Sequence, residues 1–339
     1  MTLPEVHLVG ASRAEALRLA PIALAMREQG TLSAVLLAAG PDPAAVDATY
    51  AAFGLTPKIT MPTGDDPAEA LRRFDALWAG RTPAAVVVRD FLAAGLAAHW
   101  RRIPIMQIDA GRRSSDVTPV ATDADRRLLA QVTTLHLAAT PLAAMNLLDE
   151  RVVAGDVLLT GGTAADAARA LAGRREEAPV RSRRLVVVGA DAAPVVAALR
   201  PLTVRFGDLE VLALGGELPS ALRAALLAEA YVVITADEDL TEEALAAGAP
   251  VFVLGNAGAY AEAIHAGSAR LVGPDPATVA VKMAGLLAGR VHRDTMVAGG
   301  NPYGDGLAAQ RVAQATAALL GHGQFPDPMP ARPVAGATR

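Results

Sequence analysis

The chain has 339 residues, enough for about two domains with ample cores, and its 52% hydrophobic content excludes an intrinsically disordered protein. A net charge of −4, with lysine only at Lys58 and Lys282, speaks against a nucleic-acid groove. With no cysteine, disulfides, thiolate zinc sites and thiol catalysis are excluded, and a cytoplasmic location is expected.

Short apolar strands alternate with amphipathic helices almost throughout. EVHLVG (5–10) reads as a strand, followed by a helix from about Arg13 to Glu28. SAVLLA (33–38) is a second strand, with a helix through Val46 to Phe53. AAVVV (84–88), IPIMQI (103–108), TLHLA (134–138) and VLLTG (157–161) are further strands. The charged stretch 173–184 contains Pro179 and reads as a linker. A second set follows: RLVVVG (184–189), LEVLAL (209–214), YVVIT (231–235), PVFVL (250–254) and ARLVG (269–273). This pattern predicts an α/β protein of two Rossmann-like parallel-sheet domains facing a cleft. The expected domains are 1–172 and 180–300, with a C-terminal helix at about 306–321 packing back on the first. Residues 322–339 read as a mobile Pro-rich tail. No apolar run reaches membrane-span length, and the start MTLPEVHLVGASR leads to no expected signal peptide.

Candidate polar residues sit where such folds bind ligands. Asp90 stands at the carboxyl end of a strand, and Arg13 and Arg18 stand at the first turn. His7 and His136 lie in apolar strands and read as packed core. The run Asp237-Glu238-Asp239 stands at a helix start, a position that commonly receives anions. Ordinary capping explains it, and a solvent-facing turn, a bound cation or amine, or a protein contact stay open.

Motifs in order along the chain carry a family resemblance. NPYGDG (301–306) precedes a helix, and SRAEALRLAP (12–21), VVVRD (86–90), RRIPIMQIDAG (101–111), DADRRLL (123–129), LLTGGTAADA (158–167), EEALAAGAPVFVL (242–254) and RLVGPDPATV (270–279) lie in matching order. Together they resemble the non-hydrolysing UDP-N-acetylglucosamine 2-epimerases, and the resemblance implies the GT-B fold. It also implies the conversion of UDP-GlcNAc to UDP-ManNAc by UDP elimination and re-addition, a nucleotide-sugar ligand, a homodimer, no cofactor and no metal. By the same resemblance Asp90 and Asp109 are catalytic, and Arg13, Arg18, Arg126, Glu243 and Glu262 bind substrate.

The chain departs from the family at several of these positions. Asp109 replaces a glutamate, Thr122 a catalytic glutamate, Ala190 a catalytic histidine, and Asp237-Glu238-Asp239 a Ser-Gly-Gly phosphate turn. No strand and helix to bracket a uracil are read between Leu218 and Tyr231. Weak or absent epimerase activity is therefore expected. The alternative is a degenerate member that binds a ligand or a protein, or an enzyme re-purposed to another sugar-type substrate.

Overall fold

A computed structural model describes residues 2–114, 121–173, 183–215, 218–255, 257–289 and 292–330. It divides into two compact units, Met1–Ala167 with Gly304–Arg339, and Ala168–Tyr303.

The chain runs β1 (Glu5–Gly10), α1 (Arg13–Gln29), β2 (Ser33–Gly40), α2 (Pro43–Ala52), β3 (Ile59–Pro62), α3 (Pro67–Gly80), β4 (Ala85–Val88), α4 (Leu92–Trp100), β5 (Ile105–Ala110), α5 (Ala121–Val132), β6 (Leu135–Ala138), α6 (Pro141–Asp149), β7 (Val157–Leu159) and α7 (Ala164–Ala172). These strands form one parallel sheet in the order β3-β2-β1-β4-β5-β6-β7. The order reverses between β1 and β4, so the loops that follow those two strands flank a topological switch point, where such sheets place ligands. One face of the sheet buries Val35, Leu37, Val86 and Val88 against Phe74, Trp78 and Ala94 of α3 and α4. Sequence reading misses β3, a short edge strand that ends in Pro62 and is only half-buried, so its apolar signal is weak.

The second unit runs β8 (Arg184–Val188), α8 (Ala193–Arg205), β9 (Leu209–Ala213), α9 (Ser220–Glu229), β10 (Ala230–Thr235), α10 (Glu238–Ala246), β11 (Val251–Val253), α11 (Ala261–His265), β12 (Ala269–Leu271), α12 (Pro276–Leu287) and α13 (Arg293–Gly299). Its parallel sheet has the order β12-β11-β10-β8-β9, with the switch point between β10 and β8. Alternation along β8 sends Leu185 and Val187 to one face, with Leu226 and Ala244, and Val186 and Val188 to the other, with Leu199 and Met283. Both faces are covered, as a parallel sheet requires. Two Rossmann-like parallel sheets are thus the architecture. The stretch 218–231 holds α9, contrary to the sequence reading of that region: SALRAALLAE is rich in helix formers and buries Leu226 and Leu227.

The last helix, α14 (Ala308–Leu319), belongs to the first unit. The N–H of Ala309 donates to Asp166 at 3.0 Å, and Arg311 donates to the Thr160 carbonyl at 3.0 Å and to Asp305. Met329 donates its N–H to the Leu159 carbonyl at 2.7 Å, so part of the expected mobile segment 322–339 lies along β7. Residues 331–339, and most of the expected linker (174–182), lie outside the described residues. Among the described residues no helix is long and apolar enough to cross a membrane.

Candidate functional site

The sheet order of the first unit gathers the candidates at its switch point. Asp90 follows β4 and is held by arginines from two sides. Arg126 of α5 donates through Nε to Oδ1 at 3.1 Å and through a terminal nitrogen to Oδ2 at 3.3 Å, and Arg112 donates to Oδ2 at 3.4 Å. Burial pushes the Asp90 carboxyl up, but the charges of Arg89, Arg112 and Arg126 outweigh it and hold it at about 2. The group is an ionised acceptor at neutral pH.

Asp109 ends β5 and is buried, with a left-handed backbone at φ 51°. Aspartate tolerates this conformation better than most residues, and Gly111 follows at φ 82°, where a Cβ would collide with the Ala143 carbonyl. The carboxylate accepts from Arg89 Nε at 2.7 Å, and Arg18 Nε lies 3.6 Å away. Arg18 has no exposed surface, while Arg13 opens α1 and is half-buried.

Four further residues of this network escape sequence reading. Arg89 and Arg112 pair with Asp109 and Asp90. Asp123 accepts from the N–H and hydroxyl of Ser114 at 2.9 and 2.6 Å and from Arg126 at 3.3 Å. Burial raises Asp123, and the Ser114 bonds and arginine charges bring it below the usual carboxylate range. Glu15 accepts the N–H of Ala11 at 2.7 Å and that of Asp90 at 3.2 Å. The usable signal for Arg89 was its place in VVVRD: an arginine directly after a fully apolar, buried strand needs an anion. Thr122 lies in α5, and its side chain is outside the described residues.

The remaining two candidates lie in the second unit. Glu243 of α10 is buried and accepts from Arg223 Nε at 2.8 Å, and Glu262 is half-buried in the first turn of α11. At this unit's switch point the acidic turn is a helix cap. Asp237 is the N-cap of α10 and accepts the N–H groups of Asp239 and Leu240 at 2.7 and 3.2 Å. Asp191, one residue beyond Ala190, accepts the Thr235 hydroxyl at 3.0 Å and the Ala236 N–H at 2.5 Å. Donors that a phosphate would meet at a helix start are thus taken by two of the chain's own carboxylates. Beside them lies a cavity of about 580 Å³ lined by Asp191, Pro194, Val195, Ala236, Leu254 and Pro274.

His7 and His136 are packed, as expected. Trp78 donates to His7 at 3.0 Å, and the His136 ring pairs with the Asp156 and Ala130 carbonyls. No group of three or more potential metal ligands occurs among the described residues.

Comparison with known proteins covers most of the chain. The family profile of UDP-N-acetylglucosamine 2-epimerase matches residues 25–198 and 200–317. The Bacillus subtilis UDP-N-acetylglucosamine 2-epimerase is 24% identical over 91% of this chain and 94% of its own, and the Salmonella typhimurium enzyme 25% identical over 92% and 98%. Two solved structures share the fold. The S. aureus MnaA–UDP co-structure has a TM-score of 0.88 at 21% identity, covering 97% of this chain and 100% of that one. The Neisseria meningitidis UDP-GlcNAc 2-epimerase bound to UDP-GlcNAc has a TM-score of 0.83 at 20% identity, covering 94% and 100%.

Proposed function

The chain belongs to the UDP-N-acetylglucosamine 2-epimerase family, and from that premise we propose that it takes a UDP-linked N-acetylhexosamine and inverts its C2. The observation that carries this reading is the pair Asp90 and Asp109, at the ends of the neighbouring strands β4 and β5, each set in place by arginines. Asp90, ionised at neutral pH, accepts the C2 proton. The C1–O bond to UDP breaks as the C1–C2 double bond forms. Asp109, after taking a proton from solvent, delivers it to C2 on the opposite face as UDP oxygen re-forms its bond to C1, and Asp90 then returns its proton to solvent. Arg13 and Arg126 supply positive charge for the diphosphate, and Arg18 supplies it from behind Asp109. Glu243 and Glu262 take ligand hydroxyls. The enzyme works as a homodimer in the cytoplasm and needs no cofactor.

Turnover is slow in this reading. Ala190 carries no proton, Thr122 is no carboxylate, and Asp191 and Asp237 fill donors suited to phosphate. That last observation favours a second reading, in which the chain binds a ligand or partner without epimerising it, or acts on another sugar-type substrate.

The test is incubation with UDP-N-acetylglucosamine in D₂O, following deuterium at C2 by NMR. The expected result is exchange about 10²-fold or more below a typical enzyme turnover of about 10 s⁻¹. Exchange at the ordinary rate would show that the substitutions do not matter. With no exchange at any enzyme concentration the epimerase reading fails, and calorimetry with UDP then separates a silent binder from a re-purposed site.

A further inference from the structure

Ser12 and Glu15 have the spacing of a capping box at the start of α1. Half of that box is present: Ser12 Oγ accepts the Glu15 N–H at 3.2 Å. The other half is changed. In a capping box the glutamate returns to the N–H of the cap residue, but here Oε2 reaches one residue further, to Ala11, at 2.7 Å. Oε1 leaves the helix altogether and accepts the N–H of Asp90, 75 residues away, at 3.2 Å. A helix cap needs no such bond.

The two bonds join the loops on either side of the first unit's switch point. The β1–α1 loop leads into Arg13, and the β4–α4 loop carries Arg89 and Asp90. Glu15 is only 5% exposed and its carboxyl meets loop backbone, so the chemistry above does not use it. We propose that Glu15 is a positioning residue, whose carboxylate clamps the β1–α1 loop to the β4–α4 loop and so fixes where Asp90 and Arg13 stand. The kinetic consequence rests on the reading of Asp90 as proton acceptor, whereas the clamp itself does not.

An ionised carboxylate offers acceptors to both N–H groups, while protonation turns one oxygen into a donor. Burial and the neighbouring Asp90 charge raise Glu15 to about 7, against its two backbone bonds and Arg89. The charged or titratable groups facing it are Asp90 and Arg89 after β4 and Tyr50 of α2, whose hydroxyl is itself pushed up by burial and by Glu15. The clamp therefore loosens below neutrality.

The experiment follows backbone amides of the full chain by ¹⁵N–¹H correlation from pH 5 to 9, in wild type, Glu15→Gln and Asp90→Asn. The amides of Ala11 and Asp90 should move together with one midpoint of about 7. Glu15→Gln should abolish that step and leave the amides of Asp239 and Leu240, capped by Asp237, unchanged. Asp90→Asn should shift the Ala11 midpoint down, because a like charge is gone. Separate midpoints in wild type, or a step that survives in Glu15→Gln, would overturn the clamp. In the deuterium-exchange assay Glu15→Gln should lower kcat about 10- to 100-fold with KM within about twofold, as misplacement of a reacting group does. An unchanged kcat overturns the positioning role. Should the wild type itself show no exchange, the epimerase reading falls, and the amide titration still decides the clamp.

Discussion

Glu15 and Asp90 share a hydrogen bond between carboxylate and backbone, yet they titrate far apart, at about 7 and about 2. The difference is the arginines: three flank Asp90, and Glu15 has burial and a like charge against it. This has a consequence for stability. Between its ordinary 4.5 and about 7, Glu15 keeps a proton in the folded chain that the unfolded chain has lost. Stability therefore falls as pH rises through that window, by up to about 3 kcal/mol. His7, pushed down by burial, acts in the opposite sense near 6.5, so the comparison must be made against Glu15→Gln. Urea unfolding at pH 5, 6 and 8 should show wild type losing stability relative to that variant, and parallel curves would refute it. For Asp90 the window is acidic: its contribution is lost as pH falls from 3.8 to about 2. At this scale the sequence offered Asp90 by its place at a strand end, and the family resemblance added Asp109. It did not show Arg89 or Glu15 as their partners, because those pairings span 20 and 75 residues.

Among the elements, α10 decides what the acidic turn means. Asp237 holds two N–H groups that would otherwise be orphaned at the helix start, so it acts as an ordinary cap. Asp237→Ala should lower stability by about 1 kcal/mol and speed hydrogen exchange at the start of α10. It should also tighten UDP binding, since two donors become available and one negative charge goes. An unchanged urea midpoint would contradict the capping role, and unchanged UDP affinity would show that this turn does not meet phosphate. The turn was legible in sequence as a cap. That Asp191 reaches across from the β8 loop to fill the neighbouring N–H was not, because it depends on β8 and β10 being adjacent.

At the scale of the whole molecule, the exposed face of α6 bears on assembly. Helix α6 leaves Leu142, Met145 and Leu148 exposed at three-residue spacing, 38%, 58% and 45% respectively, so one of its faces is an apolar stripe. Leu128 of α5, 56% exposed, adds to the apolar surface of this unit. Exposed patches of this kind mark contact surfaces, and a second copy of the chain is the partner proposed here. Sedimentation equilibrium should give twice the chain mass of 34.7 kDa, and Met145→Glu should return it to the monomer with the fold intact. A monomeric wild type, or a dimer indifferent to that change, would remove α6 from the interface.

The sequence by itself determined the class of fold, because parallel strands buried on both faces must be continuous apolar runs and their crossovers must be amphipathic helices. Ordered short motifs extended that to the family. Tertiary structure alone decided the chemistry of the two switch points. Strand order brings β1 beside β4 and β8 beside β10, and so sets which distant loops share a site. Burial then sets the charge state, through arginines that close on Asp90 and Asp109 and through backbone amides that meet Glu15. Neither adjacency nor burial is local along the chain, so neither can be read from it one stretch at a time.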